Sequence, residues 1–382
     1  MGPMARDLLW GLMARESECK LCGRRAKAIS GFLGICGDCA KRGSDEALRI
    51  ALEAHARSRA RFGLPPRPPK DPSGIGCGWC GNDCRIGEGG RGFCGLVENR
   101  GGRLARIAGT PEGAIVSAYL DPHPTNCVAA WACAGGSGAG YPKYSLAKGP
   151  EYGFYNLAVF YGACSYDCLY CQNWHFREMI AEGRRMSSEE LASKAGPKVT
   201  CICFFGGDPT PQIHHAIEAA KIARRRRDRP LRICLETNGN MASGWLDEIA
   251  RISWESGGGI KFDLKCHNES LHIALTGVSN RQALENLRRL SGLHKERPEV
   301  PFIRASTLLV PGYVDEEEVR GIAEYLASVD PTIPYSLLAY SPQFEMDDLP
   351  LTPAKLAEAC KRAAEGAGLE RVNIGNRFLL AP

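Results

Sequence analysis

No stretch of the 382-residue chain approaches the ~18 to 20 consecutive apolar residues that a membrane-spanning helix needs. Its first residues, MGPMARDLLWGLMARESECK, lack the apolar core and small-residue cleavage site of a secretory leader, so a cytoplasmic protein without membrane attachment is expected. Internal repeats are missing, and low complexity is confined to the run Arg224 to Arg227, which suits a solvated helix end. A usable charge excess is missing too. The formal +5 treats every thiol as neutral, and metal ligation, which deprotonates thiols, brings a loaded protein close to neutrality; nucleic acid is not an expected partner. With 44% hydrophobic and 24% charged residues the chain is too apolar to be disordered. Its length suits one large domain with appendages.

What the chain has in abundance is cysteine, 18 residues of it. Disulfides do not persist in a reducing compartment, so CxxC spacings there point to metal ligands. Cys19-x2-Cys22 and Cys36-x2-Cys39 form two knuckles, the pattern that brings four thiolates onto one tetrahedral zinc ion. A helix is expected over Asp45 to Phe62, with Leu48, Ile50, Leu52 and Ala56 on or near one face, until LPPRPPKDPSG stops it. Cys77, Cys80, Cys84 and Cys94 then form a second four-thiol set among glycines. Zinc and an auxiliary iron–sulfur cluster both accept four thiolates, and the spacing leaves the two open. Cys127 and Cys133 read equally as free thiols or extra ligands. Cys201, Cys203, Cys234, Cys266 and Cys360 read as small buried residues.

From about Tyr152 onward, short apolar runs alternate with helical periodicity. NLAVFY, VTCICFF, LRICLE, GIKFDL, PFIRASTLLV and PYSLLAY read as strands. Helices are expected near 187–196, 211–228, 243–253, 279–292, 315–328 and 352–367, the first opened by a capping box at Ser187 and Glu190. Such alternation calls for an α/β fold with a parallel sheet that closes or curls into a barrel. The expected partition is a ribbon and helix at 1–62, a linker at 63–74, a second cysteine segment and barrel cap at 75–150, a core at 151–345, and a helix and strand at 346–382 that complete it.

The segment FYGACSYDCLYCQNW carries the chemistry. Cys164, Cys168 and Cys171 are spaced CxxxCxxC directly after the first core strand. Three thiolates suit a [4Fe–4S] cluster whose fourth iron is open to an exogenous ligand. Here the sequence resembles the radical S-adenosylmethionine enzymes. Gly206, Gly207, Asp208 and Pro209 look like that superfamily's GGEP loop, with Asp for Glu. Glu236, Thr237 and Asn238 look like its ETNG segment, and Asp263 and Lys265 lie in FDLK at the next strand end. KFDLKCHNESLHIALTGVSNRQALENL and TLLVPGYVDEEEV resemble the pyruvate formate-lyase-activating-enzyme-like branch, over roughly 150–345. The upstream cysteines resemble members linked to the AmmeMemoRadiSam system.

The resemblance implies a partial (β/α)6 TIM-type barrel of the radical S-adenosylmethionine core, with a Cys-rich N-terminal metal-binding extension. It implies a [4Fe–4S] cluster on the three thiolates and S-adenosylmethionine contacted by Tyr170, Gln172, Gly206, Gly207, Asp208, Glu236, Thr237, Asn238, Asp263 and Lys265. Reductive cleavage to a 5′-deoxyadenosyl radical would follow, with a ferredoxin- or flavodoxin-like electron donor and an unidentified protein or small-molecule substrate. Glycyl-radical-enzyme activation is the alternative, because Ser306 and Ser341 stand where the activators carry Arg and His. A zinc-ribbon module binding nucleic acid or protein, with an inert barrel, is the alternative of another class. His214 and His215 could approach substrate but read more simply as solvated or capping residues.

Overall fold

The computed structural model describes residues 14–227 and 229–382. The start read as leaderless falls mostly on residues 1–13, and one expected helix ends on Asp228; both lie outside the described residues. Among the described residues no helix is long and apolar enough to cross a membrane.

The six expected core strands are all present: β2 (Tyr155–Tyr161), β4 (Val199–Gly206), β5 (Arg232–Thr237), β6 (Ile260–Asp263), β7 (Ile303–Leu309) and β8 (Tyr335–Ala339). They lie side by side in chain order, all parallel. Their sequences are near-continuous apolar runs because helices cover such a sheet. A seventh parallel strand, β9 (Val372–Gly375), follows β8.

The sheet is not all-parallel. β1 (Ala114–Pro122) pairs antiparallel with β2, and the two-residue β3 (Arg185–Met186) pairs antiparallel with β1. The result is an open nine-stranded mixed sheet, β9-β8-β7-β6-β5-β4-β2-β1-β3. β1 comes from the segment read as a cap. Its mixed pattern hid it, since only the end flanked by the two-residue edge strand β3 is buried: Ala114, Ile115 and Val116 are covered, while Tyr119 and Leu120 are exposed.

The covering helices follow the expected order, with three departures. The stretch expected at 279–292 breaks into Arg281–Arg289 and Ser291–Glu296, and Phe176–Glu182 and Glu269–Thr276 are additional helices. The capping box forms: Ser187 Oγ accepts from Glu190 N at 3.1 Å, and Glu190 Oε2 accepts from Ser187 N at 2.6 Å. Ser187→Ala is expected to lower stability by about 0.5–2 kcal/mol, read as a shift in urea midpoint at unchanged slope. The arginine run ends the helix Ile213–Arg225 as expected, with Arg224 pairing Glu255 and Arg226 pairing Glu189.

The helix Asp45–Ala60 is present, but its buried face is not the one expected. Ala47, Ile50, Ala51, Ala54, His55, Ser58 and Arg59 are buried, while Leu48, Leu52 and Ala56 are only half-covered. Alanines let it pack closely on Glu269–Thr276, and polar His55 and Arg59 point inward because they have partners there. The ribbon is fastened to the same body. Tyr313 Oη donates to Ile35 O at 2.8 Å and accepts from Ser30 N at 3.0 Å, and Lys41 Nζ reaches Asp315 at 2.8 Å.

Candidate active site

The site is built where parallel strands end. β2 runs into the loop bearing Cys164, Cys168 and Cys171, and register places Tyr161 beside Gly206, Thr237 beside Phe262, and Asp263 beside Ser306. One cavity of about 220 Å³ opens there. All three loop cysteines line it, as do all ten residues expected to contact the cofactor, from Tyr170 to Lys265. Ser306 also lines it, whereas Ser341 is buried elsewhere.

The GGDP loop is clamped onto the cysteine loop through backbone. Gly207 N donates to Tyr161 O at 3.0 Å and Asp208 N to Ala163 O at 3.0 Å. Only glycine fits: a Cβ on Gly207 would lie 2.1 Å from Ala163 O, and one on Gly206, at φ +117°, would lie 2.4 Å from Tyr161 N. The Asp208 carboxylate faces its own scaffold. It accepts from Thr210 N at 2.9 Å, Thr237 Oγ1 at 2.8 Å and Asn238 N at 2.9 Å, tying this loop to the end of β5. A ligand meeting this loop is therefore left with backbone groups.

Asn238 in turn steadies the cysteines. Its Nδ2 donates to Ser165 Oγ at 2.9 Å and lies 3.5 Å from Cys164 Sγ, which also accepts from Tyr166 N at 3.3 Å. Burial pushes the Cys164 thiol well above its ordinary pKa, and pushes Cys168 up to about 12 against the opposing charge of Lys265. A cationic centre bound there would favour their thiolates.

Opposite the cysteines runs a row of alternating charge that spacing alone did not single out. Lys261 Nζ lies 2.6 Å from Glu236 and 3.0 Å from Asp263; Asp263 also takes Lys265 at 3.4 Å and the Ser306 hydroxyl at 2.5 Å. Burial raises the Asp263 carboxyl, but Lys261 and Lys265 outweigh it and hold the group below its ordinary range. Lys261 was missed although the signal was present: in IKFDLK, Lys261, Asp263 and Lys265 recur with period two and share a face.

Sequence reading also missed the anchor of the cysteine loop. Asp167, between Cys164 and Cys168, is fully buried; it meets Arg177 at 2.6 Å, His55 Nδ1 at 2.9 Å and Arg59 at 3.3 Å. The two histidines that open the helix after GGDP do not line the cavity. His215 is buried behind the sheet, bonded to Tyr161 Oη at 2.8 Å, and half-buried His214 lies beside Trp245. Cys127 and Cys133 meet Cys201, Cys203 and Cys234 around a second cavity, which shares Glu236 and Lys261 with the first.

Cys19, Cys22, Cys36 and Cys39 come together, their sulfurs within 4.8 Å of one another, in the manner of a single-ion site. Cys77, Cys80, Cys84 and Cys94 line a separate cavity behind the cysteine loop.

The chain is similar to several known proteins. A provisionally named glycyl-radical enzyme activating enzyme from Methanocaldococcus jannaschii is 29% identical over 183 residues, 46% of this chain and 64% of its own length. A protein of unassigned function from the same organism is 24% identical over 319 residues, 80% of this chain and 82% of its own. Isethionate sulfite-lyase activating enzyme from Desulfovibrio desulfuricans is 33% identical over 168 residues, 43% of this chain and 49% of its own. The chain thus spans about two thirds of the first relative and half of the third. Residues 158–326, less than half of the chain, match the family model described as the radical SAM superfamily, so the chain carries a domain similar to that family.

Proposed function

We propose that Cys164, Cys168 and Cys171 hold a [4Fe–4S] cluster, that S-adenosylmethionine binds beside it, and that the pair serves to draw a hydrogen atom from a protein or small-molecule substrate. The observation that carries this reading is the meeting of the three thiols with the GGDP, ETN and FDLK strand ends in one cavity. When bound, the cluster supplies one electron to the sulfonium, whose carbon–sulfur bond breaks to methionine and a 5′-deoxyadenosyl radical, and that radical becomes 5′-deoxyadenosine on taking substrate hydrogen.

The chain's own residues hold and shield. Gly206 and Gly207 offer backbone groups to the methionine end, since Asp208 is spent on the scaffold. Glu236, Thr237 and Asn238 face the ribose, and Tyr170 and Gln172 lie on the cysteine side. The Tyr170 hydroxyl is buried without a protein partner, which suits a polar ligand. Lys261 holds the Glu236 and Asp263 carboxylates in place, while Val128, Phe205, Leu308 and Leu338 present apolar walls that exclude water.

The ribbon thiols fit one zinc ion, and a low-potential protein of ferredoxin or flavodoxin type fits as electron donor. Modification of another protein or a small molecule stands ahead of glycyl-radical activation. Ser306, where the activators' Arg is expected, is bonded to Asp263 and offers no cation to a partner.

The test is anaerobic reconstitution with iron and sulfide, reduction with dithionite, and chromatographic measurement of 5′-deoxyadenosine from added S-adenosylmethionine. Its formation supports the reading. An assembled cluster whose electron paramagnetic resonance (EPR) spectrum ignores S-adenosylmethionine, with no product, overturns it.

A further inference from the structure

The two four-cysteine sets differ in one measurable respect. Zinc binds thiolate at about 2.3 Å, so four thiolates around one tetrahedral ion stand about 3.8 Å apart. The ribbon set has that spacing: all four sulfurs lie within 4.8 Å of one another, and Cys22 and Cys36 Sγ are 3.8 Å apart. Among the described residues no other set of three cysteine sulfurs is so gathered. Yet Cys77, Cys80, Cys84 and Cys94 all line one cavity.

Their spread is not slack in the chain. Cys77 N donates to Cys84 O at 2.8 Å, Asp83 N closes a turn onto Cys80 O at 3.1 Å, and Cys80 bridges to Met241 of the core. Four thiols fixed around a common space, no three of them gathered as the ribbon sulfurs are, fit a ligand with several metal corners.

A second observation concerns the cavity wall. Arg106 lies 3.5 Å over the Trp79 ring and bonds Pro211 O, yet its Nε is buried with no partner. A buried donor without an acceptor implies one that the protein does not supply. The sulfurs of a loaded site, thiolate or bridging sulfide, accept such a bond, so the orphaned donor points to an occupied site and the spread of the thiols to its kind. Trp79, Phe93 and Val97 complete a largely apolar wall, in which Thr210 Oγ1 is likewise buried without a partner.

We propose that Cys77, Cys80, Cys84 and Cys94 hold an iron–sulfur cluster, not a zinc ion, directly behind the Cys164 loop. The adjacency is close. Cys84, Phe93 and Val97 share one apolar cluster with Cys164, Tyr166 and Phe176, and Asn82 Nδ2 donates to Ser165 O at 2.6 Å. This site is independent of the S-adenosylmethionine reading, and its test keeps the two apart.

The experiment counts iron, sulfide and zinc in anaerobically reconstituted full-length protein and in a Cys164→Ala/Cys168→Ala/Cys171→Ala variant. The variant is expected to keep about two to four irons with matching sulfide, the visible charge-transfer band and, after dithionite, an EPR signal. Its zinc should be about one per chain, in the ribbon. Adding Cys77→Ser and Cys84→Ser should then remove the iron and leave that zinc. An iron-free triple variant with about two zinc ions overturns the proposal. If the quintuple variant loses its zinc as well and has therefore unfolded, the wild-type count decides: about one zinc upholds the cluster, and about two overturn it.

Discussion

Alanine in place of Cys168 is expected to abolish 5′-deoxyadenosine formation, by at least about 100-fold, while the metal proposed for the ribbon thiols stays in place. The loop offers three thiols and the described cavity no fourth, so removing one leaves a cluster two protein ligands. Cys168 is the informative position because its thiol sits between opposing influences. Burial pushes it up to about 12, and Lys265 is the main charge that favours its thiolate. The variant should lose iron and sulfide at this site, and product should fall to the level without enzyme. Turnover persisting in a Cys168→Ala protein would mean that the three cysteines are not the reacting centre. Urea unfolding of the variant without metals should match the wild type closely, since only a half-buried thiol is removed; that comparison separates a lost ligand from a lost fold.

Asp167→Ala is expected to cost about 3–5 kcal/mol, because it leaves two buried guanidinium groups without their anion. Asp167 is fully buried against Arg177, His55 and Arg59, and its backbone N donates to Thr276 O at 2.9 Å. The loop is thus held both by charge and by main chain. Removal should show twice: as a lower urea midpoint without metals, and as poor iron retention with all three cysteines intact. An Asp167→Ala protein with wild-type stability would contradict this account of the anchor.

The same group gives a pH dependence whose sign follows from its partners. Burial alone raises the Asp167 carboxyl, but Arg177, His55 and Arg59 outweigh it and hold the carboxyl well below the ordinary range. A depressed carboxylate contributes stability that is fully present above its unfolded value near 4 and is lost as pH falls below it. Unfolding free energy should therefore fall with acid more steeply in the wild type than in Asp167→Ala, the two curves converging at low pH.

How much of this was legible in advance divides by distance along the chain. CxxxCxxC, GGDP, ETN and FDLK could be read because each is local and sits at the end of an apolar run whose length and flanks mark a strand. Once those strands lie parallel and in order, their ends must meet, so the residues around the cavity followed from spacing and topology together. Lys261 could have been read from the period of its own strand and was not.

The anchor of the cysteine loop could not have been read. His55 and Asp167 are 112 positions apart, and nothing local in an alanine-rich helix tells that its histidine and arginine face inward. The helix's polar residues look like a solvated face until a buried carboxylate is placed against them. β1 was hidden for a related reason: its neighbour β3 flanks only its first residues, so it has one covered end and one exposed end and carries neither a continuous apolar run nor a clean alternation. His215 reads most simply as a solvated or capping residue and is instead buried behind the sheet against Tyr161.

The sequence by itself determined the thiols, the glycines that let two loops touch, and the order of strands, because these depend on residue type and short spacing. The tertiary structure alone decided which charges became partners and how far apart each set of thiols is held. Those depend on packing between segments remote in the chain, and a few ångströms of that packing separate a single-ion site from the wider one behind the Cys164 loop.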